Sequence, residues 1–400
     1  MKPDNQGLLL AEQLLNDSDP SPSEASLLHA YPGSMPAFLA SRLVDIYSKR
    51  GDRVFDPFCG TGTVIVESVR LGRDAIGADL SEFGVRVARA GLDLPQATEL
   101  LVGWTSVREQ ALNDLSLFGS GRHRGTIQAV NAELCRWLEQ GTSDALNVIY
   151  EGIQRLEDDR VKEVLVLVLA GALGSFSKRR SRGVVHWGWL ADNVVPARRD
   201  LVFVDPFPIM DERVKRLAWF VNAVESDGLL RKMGREAVLF QRNWLMGDEE
   251  AHTQHGSIDL LLTSPPYPYS IDYTLALRLT SYLFGFSVDD VRVHEIGARY
   301  KRKRASRTKD YLGEMSVALK RVSVPVKNGG RSVLVLPHPS EYKDLETFDV
   351  PSWLEFISQS MTGRWLVEGF GLKESEQRRI VSTRRKKRRE IVAVFRKTGD

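Results

Sequence analysis

The sequence predicts an α/β fold: a doubly wound, mostly parallel sheet interrupted by a mainly helical insertion and closed by a terminal antiparallel hairpin. Three observations carry this expectation. Residues 53–79 read as strand, glycine turn, helix and strand, the β-α-β unit that begins such sheets. Residues 85–234 then lose nearly all strand signal. Strand patterns return at 237–240, 258–263, 331–336 and 390–396.

Taken in order, residues 7–15 have the spacing of a short amphipathic helix, and the Asp-, Ser- and Pro-rich stretch 16–26 predicts a loop. From 36 to 48 the apolar residues Phe38, Leu39, Leu43, Val44 and Ile46 recur at helical spacing. Gly51-Asp52 turns the chain into a strand at 53–58, a helix at 63–71 opens directly after the glycine turn, and 74–79 is a strand ending in an acid. Within the insertion, 161–176 is the most apolar helix. Asp205-Pro206-Phe207 repeats the start of the earlier turn without its glycines and predicts a loop. The basic run 384–389 predicts the turn of the terminal hairpin. The expected organisation is an N-terminal helix and loop (1–26), a cofactor half (27–100), a helical insertion suited to target recognition (101–236) and a catalytic half (237–400).

Composition limits the function classes. At 400 residues, 42% hydrophobic and 27% charged, the chain can bury the core of one large or two ordinary domains. The longest apolar run, 164–173, is about half a bilayer span, so no membrane role and a cytoplasmic location are expected. Two cysteines, Cys59 and Cys135, without CxxC or His/Cys clustering, suggest neither a disulfide framework nor a metal site. A net charge of +3 identifies no partner, but basic residues cluster at Lys178-Arg179-Arg180 with Arg182, at 299–309 and at 384–389. Such runs serve as solvated faces or as phosphate contacts.

Two segments carry the chemistry. In Asp56-Pro57-Phe58-Cys59-Gly60-Thr61-Gly62-Thr63, Gly60 and Gly62 permit positive φ and close backbone approach to a ligand, while Thr61 and Thr63 can cap the next helix. Asp56 ends its strand where a carboxylate can face a cationic ligand group. Asp79 ends the second strand where open α/β sheets hold ribose hydroxyls. An ordinary turn would explain the glycines alone; the second acid points to a nucleoside. No Gly-Lys-Ser/Thr follows, and G-x-G-x-x-G is not matched, so a P-loop and a dinucleotide fingerprint are disfavoured. In the second segment, Thr263-Ser264-Pro265-Pro266-Tyr267, a buried-strand pattern meets two prolines that force a rigid exit offering acceptors but no amide donors.

Together these segments resemble the S-adenosylmethionine-dependent DNA amino-methyltransferases, the N4-cytosine and N6-adenine modification enzymes, over about 27–90 and 245–397. The resemblance implies a Rossmann-like sheet, with S-adenosylmethionine held by Asp56, Phe58, Gly60, Thr61, Gly62, Thr63 and Asp79. It adds Tyr31 and Pro32 in the segment 29–36, which in the family folds over the methionine end, and Asp248 beside the adenine. It implies Ser264, Pro265, Pro266 and Tyr267 as the catalytic tetrapeptide, with Tyr267 stacking on a base flipped from double-stranded DNA. It continues through Ser270-Ile271-Asp272-Tyr273 to Phe284-Gly285-Phe286. Asp272 is either a loop-orienting or base-contacting group or a plain cap, and Tyr273 a core residue. Serine at the first catalytic position favours cytosine N4 over adenine N6. Ring-carbon methylation is disfavoured because no cysteine lies near Pro265-Pro266.

Arg299, Lys301, Arg302, Lys303, Arg304 and Arg307, just after the catalytic loop, are the expected DNA clamp. Restriction-modification or phage-defence self-marking is the implied setting, with a restriction endonuclease or defence subunits as partners. An RNA base methyltransferase and a non-catalytic recognition subunit are the alternatives; intact Asp56, Asp79, Ser264 and Tyr267 weigh against the second.

Overall fold

The structure is a computed structural model that describes residues 27–29, 33–118, 132–181, 184–187, 195–226, 236–247, 256–269, 272–378 and 385–399. The expected helix at 7–15, the loop at 16–26, and Tyr31, Pro32, Arg182 and Asp248 lie outside the described residues.

Seven strands form one sheet: β1 (Arg53–Asp56), β2 (Asp74–Asp79), β6 (Ala237–Gln241), β7 (Ile258–Thr263), β8 (Val326–Pro337), β9 (Arg364–Arg378) and β10 (Arg385–Gly399). Their order is β6-β2-β1-β7-β8-β10-β9, parallel from β6 to β8, with β10 antiparallel to both neighbours. This is the mostly parallel sheet with an antiparallel hairpin that the sequence predicts.

Strand alternation explains the double winding. Phe55, Leu261, Leu334, Leu336, Ile391 and Phe395 face one side, where they pack with α12 (Arg307–Val322) and α13 (Val350–Ser360). Val54, Leu260, Leu262, Val333, Val335 and Val392 face the other, against α1 (Ala37–Tyr47). Each one-residue step along a strand thus feeds a different core, which fixes the register.

Between β2 and β6 the chain is mainly helical. After α2 (Thr63–Arg70) and α3 (Glu82–Leu92) come α4 (Ala97–Phe118), α5 (Ala132–Cys135), α6 (Gln140–Gln154), α7 (Asp159–Phe176) and α8 (Pro206–Ser226). Their core is continuous with Phe83 and Val87 of α3 and with Leu279 and Leu283 of α10 (Arg278–Phe284), which follows the one-turn α9 (Tyr273–Ala276). The helical layer is therefore fastened to the elements that carry the site. Arg86 reinforces this: it pairs with Glu163 of α7 while its guanidinium lies 4.3 Å from the Phe284 ring centroid.

The basic run Lys178-Arg179-Arg180 is part of β3 (Lys178–Ser181), the centre of a small sheet with β4 (Val184–Trp187) and β5 (Leu201–Val202). Two readings need correction. Asp205-Pro206-Phe207 is not a loop. Pro206 opens α8, with the Asp205 carboxylate accepting from the Phe207 amide at 3.0 Å; proline suits a first helical position because its missing N–H would have had no partner. Residues 385–389 are strand, not turn, and pair with residues 374–378 of β9, a strand that the sequence did not mark.

Candidate active site

A cavity of about 380 Å³ lies beyond the carboxyl ends of β2, β1 and β7, where open α/β sheets bind ligands. Asp56, Phe58, Gly60, Thr63 and Asp79 line it from the first half of the chain, Ser264 and Pro266 from the second. Because β1 and β7 are neighbours, segments about two hundred residues apart meet directly. The Thr263 hydroxyl donates to the Asp56 carboxylate at 2.6 Å.

The glycine turn is shaped by close packing. Gly62 has φ +83°, and a Cβ there would lie 2.4 Å from Ala88 Cβ of α3. A Cβ on Gly84, one turn earlier in α3, would lie 2.9 Å from the Gly60 carbonyl oxygen. Helix α3 thus presses its small residues onto the turn, leaving Gly60 on the cavity wall. Neither threonine caps α2, contrary to expectation. Gly62 occupies the cap position without a side-chain bond. Thr61 is instead buried 3.4 Å from the Ser34 hydroxyl, which ties the segment containing Gly33, Ser34 and Met35, all on the cavity wall, to the turn.

Asp79 accepts from the Gly60 amide and the Ser81 amide, each at 2.8 Å and each on a different oxygen. Asp56 accepts from the Phe58 amide at 3.1 Å besides Thr263. Burial raises the Asp56 carboxyl to about 7, against the lowering effect of those two bonds, and burial also raises Asp79. Neither acid has a Lys or Arg partner among the described residues. Burial likewise pushes the Cys59 thiol well above its ordinary value, the opposite of what a nucleophilic cysteine needs.

Several wall residues were not singled out from sequence. Trp244, fixed by its indole N–H donating to the Pro57 carbonyl at 2.7 Å, and Asn243 stand just before the expected adenine segment. Phe83, Phe286 and Tyr273 supply further aromatic wall; Tyr273, expected in the core, faces the cavity. Glu295 is buried, accepts from the Thr274 amide at 2.6 Å and hydroxyl at 2.7 Å, and is raised by burial and then by the Asp272 carboxylate. Asp272 sits at the cap position of α9 without capping it, and meets Arg292 at 3.4 Å. Only tertiary proximity brings these groups together; no local motif marks them.

The catalytic loop is held from both sides. The Tyr267 hydroxyl donates to Glu390 of β10 at 2.9 Å, with the Val335 carbonyl of β8 at 3.3 Å. The Tyr269 amide donates to the Gly297 carbonyl at 2.7 Å, and its hydroxyl to the Arg307 carbonyl. Tyr311 of α12 donates to the Pro266 carbonyl at 3.0 Å. Among the described residues the Ser264 and Pro265 carbonyls receive no donor, which leaves them as free acceptors. Tyr267 itself does not line the cavity.

The basic run divides. Arg299, Arg302, Lys303 and Arg304 are exposed. Lys301 does not belong with them: it is 3% exposed, and its ammonium donates to Glu314 at 2.7 Å and the Glu295 carbonyl at 2.8 Å. Arg307 is occupied by Asp344 at 2.7 Å and the Arg302 carbonyl at 3.0 Å. No group of His, Cys, Asp and Glu among the described residues could hold a metal ion, and no described helix is long and apolar enough to cross a membrane.

Sheet order and cavity define an open α/β fold with a ligand-sized site beyond the carboxyl ends of its central strands. Residues 11–90 match a family model described as DNA methylase, of the N6/N4 type. A tRNA (guanine(10)-N2)-dimethyltransferase of Methanothermobacter thermautotrophicus is 36% identical over 85 residues, 21% of this chain and 25% of that protein. The Type II methyltransferase M2.DpnII of Streptococcus pneumoniae is 37% identical over 68 residues, 17% of this chain and 25% of that protein. Type II methyltransferase M.MthZI of Methanothermobacter thermautotrophicus is 49% identical over 45 residues, 11% and 13% of the two chains. The chain thus spans about a quarter or less of the length of these curated relatives. The matches are thus local: they show that residues 11–90 are similar to the N6/N4 type of DNA methylase.

Proposed function

We propose that this chain methylates the exocyclic amine of a base in DNA, cytosine N4 foremost, within a restriction-modification or phage-defence system. The observation that carries the reading is the Thr263–Asp56 hydrogen bond, which joins the Ser264-Pro265-Pro266 exit to a cavity with two buried acids. Bound S-adenosylmethionine supplies an electrophilic methyl group on a positively charged sulfur. Asp56 would face the cationic end of that cofactor, Asp79, which accepts one amide on each oxygen, would take the ribose hydroxyls, and the glycine turn would give the backbone clearance. The aromatic wall of Trp244, Phe58 and Phe83 suits a planar purine.

The chain's own part in transfer is to make a poor nucleophile competent. An amine conjugated to a base ring has little free lone pair. Hydrogen bonds from its N–H groups to the Ser264 hydroxyl and the unoccupied Ser264 or Pro265 carbonyl localise that pair and stabilise the positive charge that grows on nitrogen. With the methyl donor bound, the localised pair would be free to take the methyl group, and the Ser264 hydroxyl and these carbonyls would accept the surplus N–H proton on its way to water. Holding both partners in line supplies on the order of 7–11 kcal/mol where alignment is good. Tyr267, tethered by its hydroxyl, offers its ring as the platform for a flipped base.

The similarity to a tRNA guanine-N2 enzyme favours one second reading, an RNA base amine as acceptor. Mass spectrometry of nucleosides from cells expressing the protein separates the two. N4-methylcytosine in DNA is expected, N6-methyladenine would move the acceptor, and modified RNA with unmodified DNA would overturn the reading.

A further inference from the structure

Tyr269, two residues after Tyr267, has φ +52°, and among the described residues it is the one non-glycine with positive φ. The left-handed region is unfavourable for a tyrosine and persists where the surroundings fix it. The fixing contacts come from residues 295–297. The Gly297 carbonyl accepts from the Tyr269 amide, and a Cβ on Gly297, itself at φ +62°, would lie 3.0 Å from both the Tyr267 carbonyl oxygen and the Tyr311 ring. Two residues earlier, Glu295 Oε1 accepts from the amide and the hydroxyl of Thr274 in α9. It thereby satisfies an N-terminal amide of that helix, which Asp272 at the cap position leaves unbonded. The segment is itself anchored: Lys301 donates to the Glu295 carbonyl, and Glu314 of α12 accepts from Lys301 and, at 3.4 Å, from the Gly297 amide.

The remaining oxygens show how the Glu295 side chain is held. Glu295 is buried on the cavity wall and hydrogen-bonded to the Asp272 carboxyl. Its Oε1 is on Thr274, and Asp272 Oδ2 is on Arg292 of α11 (Val288–Arg292). That leaves Glu295 Oε2 and Asp272 Oδ1, both buried and neither met by an N–H or hydroxyl donor. Two carboxyl oxygens bond only through a proton that one of them carries. The pair therefore holds one proton, with its negative charge on Asp272 beside Arg292. Burial, and after it the Asp272 carboxylate, hold the Glu295 carboxyl above its ordinary value, which keeps the proton there.

We propose that Glu295, sharing a proton with Asp272, is a positioning residue for amine methylation: with Gly297 it latches the catalytic loop at Thr274 and Tyr269, so that the Tyr267 platform and the Ser264 and Pro265 acceptors stand ready for a base amine. This role rests on the DNA reading above and deepens it. Loss of the proton puts two carboxylates in contact, and their repulsion opens the latch. The neighbouring charges leave that direction unchanged. Arg278 of α10 lies toward Asp272 with Arg292, Lys301 and Glu314 offset one another behind the Glu295 backbone, and His294 precedes it on the cavity wall. The phenols of Tyr273 and Tyr300 are both raised by burial and stay neutral. The latch is thus closed at neutral pH and loosens as the pH rises above it.

The test follows hydrogen exchange at the Tyr269 and Thr274 amides of the full chain by fragmentation mass spectrometry, together with methyl transfer to duplex DNA, for wild type, Glu295→Ala and Glu295→Gln. Glutamine reproduces the protonated acid: its carbonyl accepts from Thr274 and its amide donates to Asp272. Glu295→Ala should raise exchange at both amides roughly tenfold while the amides of β1 keep their protection. It should lower kcat roughly 10- to 100-fold with little change in the KM for S-adenosylmethionine. Glu295→Gln should restore both properties. From about pH 6.5 to 9, exchange corrected for its intrinsic base catalysis should rise in the wild type and stay level in Glu295→Gln. A level wild-type profile, a Gln variant as impaired as Ala, or an Ala variant with Tyr269 still protected or kcat unchanged would overturn the proposal. The pH series and the Gln variant decide the matter even if Glu295→Ala does not fold. Exchange needs no substrate, so a proton-dependent latch in a chain that transfers no methyl to DNA refutes the reading of function and leaves the latch standing.

Discussion

Asp56 offers the sharpest quantitative check. Its carboxyl is 4% exposed, bonded to Thr263 and Phe58, and raised by burial to about 7. A cationic cofactor beside it favours the ionised form, so binding must remove a proton whenever the pH lies below about 7. The sign follows: S-adenosylmethionine affinity should rise with pH and level off above about 7. Below that point it weakens by about tenfold per unit, and between pH 5 and 7.5 the dissociation constant should change by roughly 80-fold. The upper limit stays at 7.5 because the ligand's own amino group titrates near 7.7–8.0. Isothermal titration calorimetry should also find a proton released per cofactor bound near pH 6. Asp79 lies in the same cavity and is raised too, so Asp56→Asn assigns the effect: the variant should bind weakly at pH 7.5 and lose most of the slope. A wild-type affinity flat from pH 5 to 7.5, or an Asn variant with the full slope, would refute this placement of the cationic end.

Other expectations concern packing and the loop. Gly84→Ala puts a methyl 2.9 Å from the Gly60 carbonyl oxygen, so it should destabilise by about 1–3 kcal/mol in denaturant melts and weaken cofactor binding. Tyr267→Phe keeps the ring but leaves Glu390 without its hydroxyl donor, and should cost about 1.5–3 kcal/mol of stability with unchanged cofactor affinity. If Tyr267 serves only as a stacking surface, chemical denaturation will show no such loss. Lys301→Gln strands a carboxylate and should destabilise by about 3–5 kcal/mol, whereas Arg302→Gln, exposed, should leave stability alone and reduce the salt slope of DNA binding by about 0.9. Reversal of that pattern between the two would refute the division of the basic run.

Where one residue type serves one local purpose, sequence was enough. Asp79 and the glycines of the turn announced themselves, because strand, turn and helix are consecutive and their geometry is local. The limits appeared where contacts are distant. Nothing near Gly84 says that it faces Gly60, and Glu295 gains its setting from Thr274 and Asp272. Lys301 reads as one more cation in a basic run; only the fold turns it inward to Glu314. Strand β9 was hidden because it is the edge strand of the sheet, set by its pairing with β10 and not by a local pattern.

The pairing of β1 with β7 is what brings the two motifs together. The distance between the cofactor turn and the catalytic loop is set by the spacing of adjacent strands, about 4.8 Å, and not by the chain that runs from one to the other. The inserted helices leave after β2 and return at β6, on the far flank of the sheet, so the meeting of Thr263 with Asp56 is made by strand pairing and not by the length of chain between them. The junction of the two motifs is thus a property of strand adjacency.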